Sequence, residues 1–326
     1  MNTWITFPDL GIEPFMLRRI AFSFTLFGKE ITVAWYGILI VIGMIGAFIY
    51  ACKRAKHGGV KVDTMIDYAL WTIVIAIICA RLYYVIFYSN GEYKTFYDVI
   101  AIWNGGLAIY GGIIGGGVTV FVVSKIKKQN FFAMADYIAP GVMIGQMIGR
   151  WGNFVNGEAH GTVTSLPWRM GVITTYSTEI PAVSAFTCYH PTFLYESLWN
   201  LIGFILINIF YKKHRFNGEV FLWYVAWYGF GRGFIELLRT DSLMIGSLRV
   251  SALVGFVSFV AATVALIVIP IVRKKAEKAT DNDVKNIADT EVIADSEVIG
   301  EAPEEKYESA VTETELEKEE KDESDK

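Results

Sequence analysis

The stretch from Leu248 to Val272 reads LRVSALVGFVSFVAATVALIVIPIV and contains one charged residue, Arg249, in 25 positions. A helix of about 20 residues is long enough to cross the roughly 30 Å hydrocarbon layer of a membrane. This stretch is therefore predicted to be a transmembrane helix. The whole chain of 326 residues is 53% hydrophobic with a mean hydropathy of +0.40, which is more apolar than a soluble domain of this size.

Six earlier stretches have similar length and composition. They are Val33 to Cys52, Met65 to Tyr88, Leu107 to Val123, Met134 to Phe154, Phe193 to Tyr211 and Val220 to Leu238. The sequence therefore predicts an all-α polytopic membrane protein with about seven transmembrane helices, contained in residues 33–275.

Basic residues are unevenly divided between the connecting segments. The segments after the first, third, fifth and seventh stretches hold 13 Lys and Arg, against 7 on the opposite side. Short cytoplasmic loops carry the excess of positive charge. The N-terminus is therefore predicted to lie outside and the C-terminus in the cytoplasm.

Three segments lie outside the predicted spans. Residues 1–32 are predicted to form an arm at the membrane surface, and residues 157–189, on the outer side, a small folded cap. The aromatic and aliphatic side chains of the arm that we expect to contact lipid are Phe15, Met16, Leu17, Phe22, Phe24 and Phe27. Residues 276–326 form an acidic tail: from Glu277 onward the charge is −13, against +9 for the chain before it. Such a composition predicts disorder.

Metal-binding patterns are missing from the sequence. The three cysteines and four histidines are scattered, with no C-x-x-C or H-x-x-x-H spacing. We therefore expect neither a metal site nor a cofactor.

Ionisable residues fall inside or at the ends of the predicted spans, where each costs at least a few kcal/mol. They are Arg81, Asp136, Arg150, Glu158, Glu196, Arg232, Glu236 and Arg239. The densest polar segment, residues 149–161, reads GRWGNFVNGEAHG. Arg150 and Asn153 share a helix face there, and an arginine fork suits a phosphate. Arg232 and Glu236, four residues apart, could instead simply pair with each other.

The segment GRWGNFVNGEAHG resembles the signature G-R-x-G-N-F-x-N-x-E-x-x-G of bacterial prolipoprotein diacylglyceryl transferases. Four further segments resemble motifs of that family in the same order, from Trp35 to Arg239. They are Trp35 to Gly37, Trp103 to Leu107, His190 to Glu196 and Arg232 to Arg239.

The resemblance implies an enzyme of the bacterial cytoplasmic (inner) membrane. Its reaction would move the diacylglyceryl group of phosphatidylglycerol to the lipobox cysteine thiol of a prolipoprotein signal peptide. A thioether would form and glycerol phosphate would leave. No cofactor and no nucleic acid is implied, and membrane lipid is the surrounding partner.

The resemblance also assigns roles to residues. Arg150 and Arg232 would stabilise the departing phosphate. The residues implied to bind substrate are Tyr36, Gly105, Gly106, Asn153, Asn156, Glu158, Gly161, Glu236 and Arg239.

One position departs from the family pattern. Many relatives have a histidine, considered as the general base, where this chain has Tyr110. A phenol, with an ordinary pKa of about 10, is a poorer base at neutral pH. Tyr110 or His190 remains a candidate for that role. A small transporter and a non-catalytic membrane scaffold are the alternatives to the transferase.

Overall fold

The computed structural model describes residues 2–88, 93 and 95–299, and these residues are mostly helical. The α-helices are α1 (Trp35–His57), α2 (Val62–Tyr88), α3 (Phe96–Ile100), α4 (Ile109–Ile126), α5 (Phe131–Asn156), α6 (Thr192–Phe210), α7 (Glu219–Leu238) and α8 (Val250–Ile299). Short 3-10 helices cover Pro8–Leu10, Ile102–Asn104, Val183–Ala185 and Tyr211–Lys213.

Among the described residues, six helices are long and apolar enough to cross a membrane. These are α1, α2, α4, α5, α6 extended to Lys213, and the Val250–Thr280 part of α8. Helix α7 forms where the sixth span was predicted, but it is not one of the six. Its 20 residues include Arg232 and Glu236, which lower its apolar character.

Strands are also present, so the all-α prediction is corrected to a mostly helical fold. They are β1 (Asn2–Phe7), β2 (Ile12–Arg18), β3 (Ile20–Leu26), β4 (Lys29–Ala34), β5 (Met170–Thr175), β6 (Thr187–Tyr189), β7 (Met244–Ile245) and β8 (Leu248–Arg249).

Glycines let two pairs of helices approach with their backbones in contact. A Cβ on Gly43 of α1 would lie 3.2 Å from the Cα of Gly145 on α5, and one on Gly141 would lie 2.8 Å from an α1 carbonyl oxygen. Between α2 and α4, a Cβ on Gly115 would lie 2.5 Å from the Cβ of Cys79. Glycines therefore permit close helix packing at both contacts.

Helix α5 is fixed to α7 at their N-terminal ends. Asp136 of α5 accepts hydrogen bonds from the backbone N–H of Gly218 at 2.6 Å and of Phe221 at 2.8 Å. These N–H groups belong to the N-cap residue and the first turn of α7, and such groups have no partner within the helix. One buried side chain therefore aligns the starts of two helices.

A four-stranded antiparallel sheet joins the N-terminal arm to the segment 157–189, in the order β2-β1-β5-β6. Its core contains the fully buried Ile5, together with Met170 and Phe193. Phe15 and Leu17 pack against these residues. These two side chains, which the sequence predicted to contact lipid, therefore serve the sheet core instead.

Strands β3 and β4 form a separate two-stranded hairpin that leads directly into α1. The backbone N–H of Trp35, the first residue of α1, donates to the carbonyl of Arg19 at 3.0 Å. Residues 22–32 of the hairpin are all exposed.

The chain divides into two compact units, Met1–Ile267 and Val268–Lys326. The second unit contains the C-terminal part of α8, which continues to Ile299. Its last described turns lie where the sequence predicted disorder, and the rest of that acidic tail, residues 300–326, lies outside the described residues.

Candidate active site

Three helices each bring one charged side chain to a common point. Nη2 of Arg150 on α5 lies 2.6 Å from Oε1 of Glu196 on α6. Nη1 of Arg232 on α7 lies 3.0 Å from Oε2 of the same carboxylate. The two arginines predicted from the sequence to be catalytic therefore bind the same carboxylate, and each contacts a different oxygen.

Burial makes this triad energetically demanding. The Glu196 side chain is 2% exposed, whereas those of Arg150 and Arg232 keep 20% and 16%. A carboxylate removed from water is tolerated only when paired and hydrogen-bonded, and the two guanidinium groups supply that pairing. The side chains of both arginines therefore keep part of their surface exposed, unlike the carboxylate that they share.

Glu196 was not among the predicted site residues. The sequence did indicate it, as a carboxylate within a predicted span. Its role depends on the approach of α5 and α7 to α6, which no local pattern specifies.

A polar network continues from Arg150 along the end of α5. Nη1 of Arg150 donates to Oδ1 of Asn153 at 3.2 Å. The side-chain amides of Asn153 and Asn156 both donate to Oε1 of Glu158, at 3.2 and 3.1 Å. Gly157, with φ of +64°, lies between Asn156 and Glu158 and ends α5. This left-handed turn folds Glu158 back toward the two amides. The structure thus brings these four predicted residues into one network.

The end of α7 carries the other predicted charges. Nη2 of Arg232 lies 2.6 Å from Oε2 of Glu236, one turn along the same helix. The intrahelical pair considered from the sequence therefore forms, and Arg232 binds Glu196 in addition. Arg239 lies 4.0 Å from Glu236 but bonds Asp241 through two nitrogens, at 2.9 and 2.7 Å. Burial of Asp241 acts to raise the pKa of its carboxyl group. The Arg239 guanidinium outweighs this effect and holds the pKa of Asp241 below its ordinary value.

Gly161 connects this end of α7 to the segment that precedes α6. Its N–H donates to the carbonyl of His190 at 2.9 Å, and the next N–H, of Thr162, donates to the carbonyl of Leu238 at 2.8 Å. A Cβ on Gly161 would lie 2.7 Å from the Cβ of His190 and 3.1 Å from the Leu238 oxygen. The close approach of three chain segments therefore requires glycine here.

Tyr36 lies in α1, whereas Gly105 and Gly106 lie in the loop before α4. The Tyr36 ring packs where a Cβ of Gly152 would be, with Cε2 2.9 Å from that position, so it lies beside the α5 segment that carries Arg150. Nη1 of Arg81 donates to the carbonyls of Gly105 and Gly106 at 2.6 and 2.9 Å. These glycines, as described, serve the structure of the loop before α4.

The two candidate bases make other contacts. The Tyr110 hydroxyl lies 2.9 Å from the hydroxyl of Ser251 and so connects α4 to α8. Nδ1 of His190 lies 3.2 Å from the Tyr195 hydroxyl, which also accepts a hydrogen bond from Trp168 at 2.7 Å. Within the described part of the chain, no hydrogen bond joins Tyr110 or His190 to either arginine of the triad.

Metal ligands are not clustered in the described residues. Across residues 2–88, 93 and 95–299, no group of three His, Cys, Asp or Glu could hold a metal ion.

Together, the fold and the site define a mostly helical protein with several potential membrane-crossing helices and a bridged pair of arginines. Comparison with known proteins identifies the family. The model of the prolipoprotein diacylglyceryl transferase family matches residues 21–268, and the chain belongs to that family.

Curated relatives carry the name phosphatidylglycerol–prolipoprotein diacylglyceryl transferase. The relative from Limosilactobacillus reuteri (strain DSM 20016) is 44% identical over 260 residues, which cover 77% of this chain and 91% of the relative. That from Clostridioides difficile (strain 630) is 42% identical over 74% of this chain and 92% of its own length. That from Finegoldia magna (strain ATCC 29328) is 44% identical over 76% and 94%.

Proposed function

We propose that this chain transfers the diacylglyceryl group of phosphatidylglycerol to the thiol of the lipobox cysteine of prolipoproteins. Membership of the family supports this reaction, the first step of lipoprotein maturation. The structural observation that carries it is the convergence of Arg150 and Arg232 on Glu196. Neither a transporter nor a scaffold requires such an arrangement.

The chemistry explains why two arginines are needed. Attack of the cysteine sulfur on a glycerol carbon breaks a carbon–oxygen bond, and glycerol phosphate leaves with growing negative charge on its oxygen. Donors held in place before the reaction stabilise that charge by about 3 kcal/mol each. Glu196 accepts hydrogen bonds from both guanidinium groups and so fixes their directions, which would hold both cations ready for the phosphate without reorganisation.

The network around Glu158 would position the donor lipid. Asn153 is bonded both to Arg150 and to Glu158, so it connects the charged centre to the polar end of α5. A glycerol headgroup carries hydroxyls that can exchange hydrogen bonds with such amides and carboxylates. We assign headgroup binding to Asn153, Asn156 and Glu158, with Gly161 and Tyr36 shaping its walls.

The incoming thiol must lose a proton, because the thiolate is the nucleophile. Tyr110 and His190 are the two candidate bases, and their described partners are Ser251 and Tyr195. Tyr110→Phe and His190→Ala, assayed over a range of pH, separate the two. The true base is the one whose removal abolishes the rise of rate with pH while peptide binding is retained.

We further propose that α7 is a seventh membrane span. It begins beside α5, where Gly218 donates to Asp136 at 2.6 Å. It ends just beyond the end of α5, where Leu238 accepts from Thr162 at 2.8 Å. Helix α7 therefore runs alongside α5, which is itself long and apolar enough to cross, over the same depth.

An odd number of spans would put the two termini on opposite sides. The excess of Lys and Arg after the first, third, fifth and seventh stretches supports an acidic tail in the cytoplasm and a site that faces outward from a bacterial inner membrane. Single cysteines at Lys56 and Tyr176 test this topology in intact cells. A membrane-impermeant maleimide should label the second and not the first. The reverse pattern would refute the orientation.

The reaction itself is tested with purified protein in phosphatidylglycerol nanodiscs and a lipobox peptide. Mass spectrometry should show the peptide gaining one diacylglyceryl group. A peptide with serine in place of cysteine and nanodiscs of phosphatidylethanolamine are the matched controls for acceptor and donor. No mass gain, under conditions in which the Limosilactobacillus reuteri relative gives one, would reject the proposed function.

A further inference from the structure

The β3–β4 hairpin has two chemically different faces. Cross-strand partners share a face, and Phe22 pairs with Val33 and Phe24 with Ile31. On the opposite face Ser23 pairs with Thr32 and Thr25 with Glu30. The Phe22 and Phe24 rings are 6.3 Å apart and stacked. One face is therefore apolar except for Lys29, which pairs with Leu26 next to the turn, and the other face is polar.

Nothing in the described chain covers the apolar face. Phe22 is 54% exposed, Phe24 44%, Leu26 46% and Ile31 38%. A two-stranded hairpin with no partner is at best marginally stable in water, and needs packing on one face. An exposed apolar patch bordered by polar residues is typical of an interaction surface.

The tip of the hairpin is a second, independent observation. Leu26 pairs with Lys29, so the loop is the two residues Phe27 and Gly28, with φ of +50° and +73°. Two positive φ angles define a type I′ turn, whose first position favours Asn or Asp. A bulky aromatic residue is strained there, yet Phe27 is 96% exposed and gains no packing in return. Strain of this kind indicates a functional constraint.

The position of the hairpin in the chain indicates what covers it. Strand β4 ends at Ala34 and α1 begins at Trp35 with no residue between them, and α1 is long and apolar enough to cross a membrane. The eight residue steps from Phe27 to Trp35, at about 3.3 Å each, place Phe27 within about 26 Å of the start of α1. The surface of the bilayer is therefore within reach of the whole hairpin. Lys29 beside the tip can extend its ammonium group to lipid phosphates while its stem follows the apolar face.

We propose that the β3–β4 hairpin is a membrane-docking element. Its apolar face lies against the leaflet at the N-terminal end of α1, and Phe27 inserts among the acyl chains. Ser23, Thr25, Glu30 and Thr32 face water. This docking adds an interfacial contact beyond the transmembrane helices, and it does not depend on the transferase reaction.

Environment-sensitive probes test the orientation of the two faces. In a variant with Cys52, Cys79 and Cys188 changed to Ser and activity retained, single cysteines replace Phe24 or Thr25 and carry a fluorophore. Adjacent strand residues point to opposite faces. In nanodiscs holding one copy of the full chain, the probe at 24 should be quenched by brominated lipid, and the probe at 25 by aqueous iodide.

A probe at Tyr176, which is 81% exposed after β5, gives the aqueous reference. Iodide quenching at position 24 equal to that at 176 would overturn the proposal. Protection of position 24 that appears only after a lipobox peptide is added would overturn it in favour of a peptide-docking face. Protection that requires two copies per nanodisc would overturn it in favour of a dimer interface.

Phe27→Asn separates the role of the tip from its structure. Asparagine fits the first turn position better than phenylalanine, so the thermal unfolding midpoint should not fall. Lipid quenching at position 24 should nevertheless decrease severalfold, and Phe27→Trp should retain it. Unchanged lipid quenching in Phe27→Asn would overturn the assignment of Phe27 as the inserting residue.

Discussion

Replacing Arg150 by lysine preserves one positive charge but removes a geometry that only arginine provides. Arg150 uses two different nitrogens, Nη2 toward Glu196 at 2.6 Å and Nη1 toward Asn153 at 3.2 Å. Lysine presents a single ammonium centre. It can neutralise Glu196, but it cannot also occupy the position of Nη1. On the proposed mechanism, the departing phosphate therefore loses at least one preset donor.

The loss of one such donor corresponds to about 2.7 to 4 kcal/mol, or roughly 100- to 1000-fold in rate. The charge on Glu196 remains compensated, so folding should be preserved. The assay is a time course of peptide diacylglyceryl formation at saturating phosphatidylglycerol, with thermal unfolding measured on the same nanodisc samples. We expect Arg150→Lys to lose rate by about that factor while its unfolding midpoint stays near that of the unchanged protein.

Arg169→Lys is the matched control. Arg169 pairs with Asp9 at 3.0 Å, with side-chain exposures of 31% and 37%, and a surface pair of this kind contributes about 0 to 1 kcal/mol. Its rate should stay within about twofold of the unchanged protein. An Arg150→Lys rate as high as that of Arg169→Lys would refute the role of the guanidinium fork.

Further predictions concern stability as well as activity. Glu196→Gln leaves two arginines of the site without their shared carboxylate, so it should lower the free energy of unfolding by about 3 kcal/mol and abolish transfer; an unfolding midpoint equal to that of the unchanged protein would contradict this. Gly161→Ala forces a Cβ to within 2.7 Å of a neighbouring side-chain carbon and should cost about 1 to 3 kcal/mol. Its control, Gly117→Ala, meets no atom within 4 Å and should stabilise helix α4 by up to about 1 kcal/mol. Because the folded pKa of Asp241 is lowered, its bond to Arg239 should stabilise the fold above the ordinary aspartate pKa and be lost as pH falls through the folded value. Asp241→Asn should therefore reduce the loss of stability on acidification in pH-dependent thermal unfolding, and an unchanged acid profile would contradict this.

The sequence predicted the helices well because each depends on local composition. A run such as Leu248 to Val272 specifies a membrane-length helix by itself, and α8 contains nearly all of it. Helix α7 shows the limit of that reasoning. Its site residues Arg232 and Glu236 lower its apolar character, and only its contacts with α5 and with Thr162 indicate how deep it runs.

The sheet could not be predicted in the same way. Strand β1 pairs with β5, so Ile5 is opposite Val172, and residues so far apart in sequence leave no local pattern. The alternating apolar residues around Phe15 and Leu17 fit a lipid-facing arm as well as a strand. Only the packing against Ile5 distinguishes the two.

The candidate site likewise contains a part that depends on local sequence and a part that depends on helix packing. Arg150, Asn153, Asn156 and Glu158 are neighbours in sequence, and the network that joins them follows from helix periodicity and one glycine turn. Glu196 joins them only after α5, α6 and α7 have packed. Its bridging of two arginines was therefore beyond sequence reasoning, although its cost inside a membrane span indicated that it must have a partner.

The contacts of Arg81 affect which residues of the loop before α4 can change in sequence. Its guanidinium is held by four backbone carbonyls, those of Asp98, Val99, Gly105 and Gly106. Because carbonyls are common to all amino acids, these four hydrogen bonds do not depend on which side chains the loop carries. An exposed residue in this loop, such as Ile102, can therefore change without loss of these hydrogen bonds. Mutation can therefore change the exposed side chains that this loop presents to a lipid or peptide, while Arg81 keeps the backbone in place.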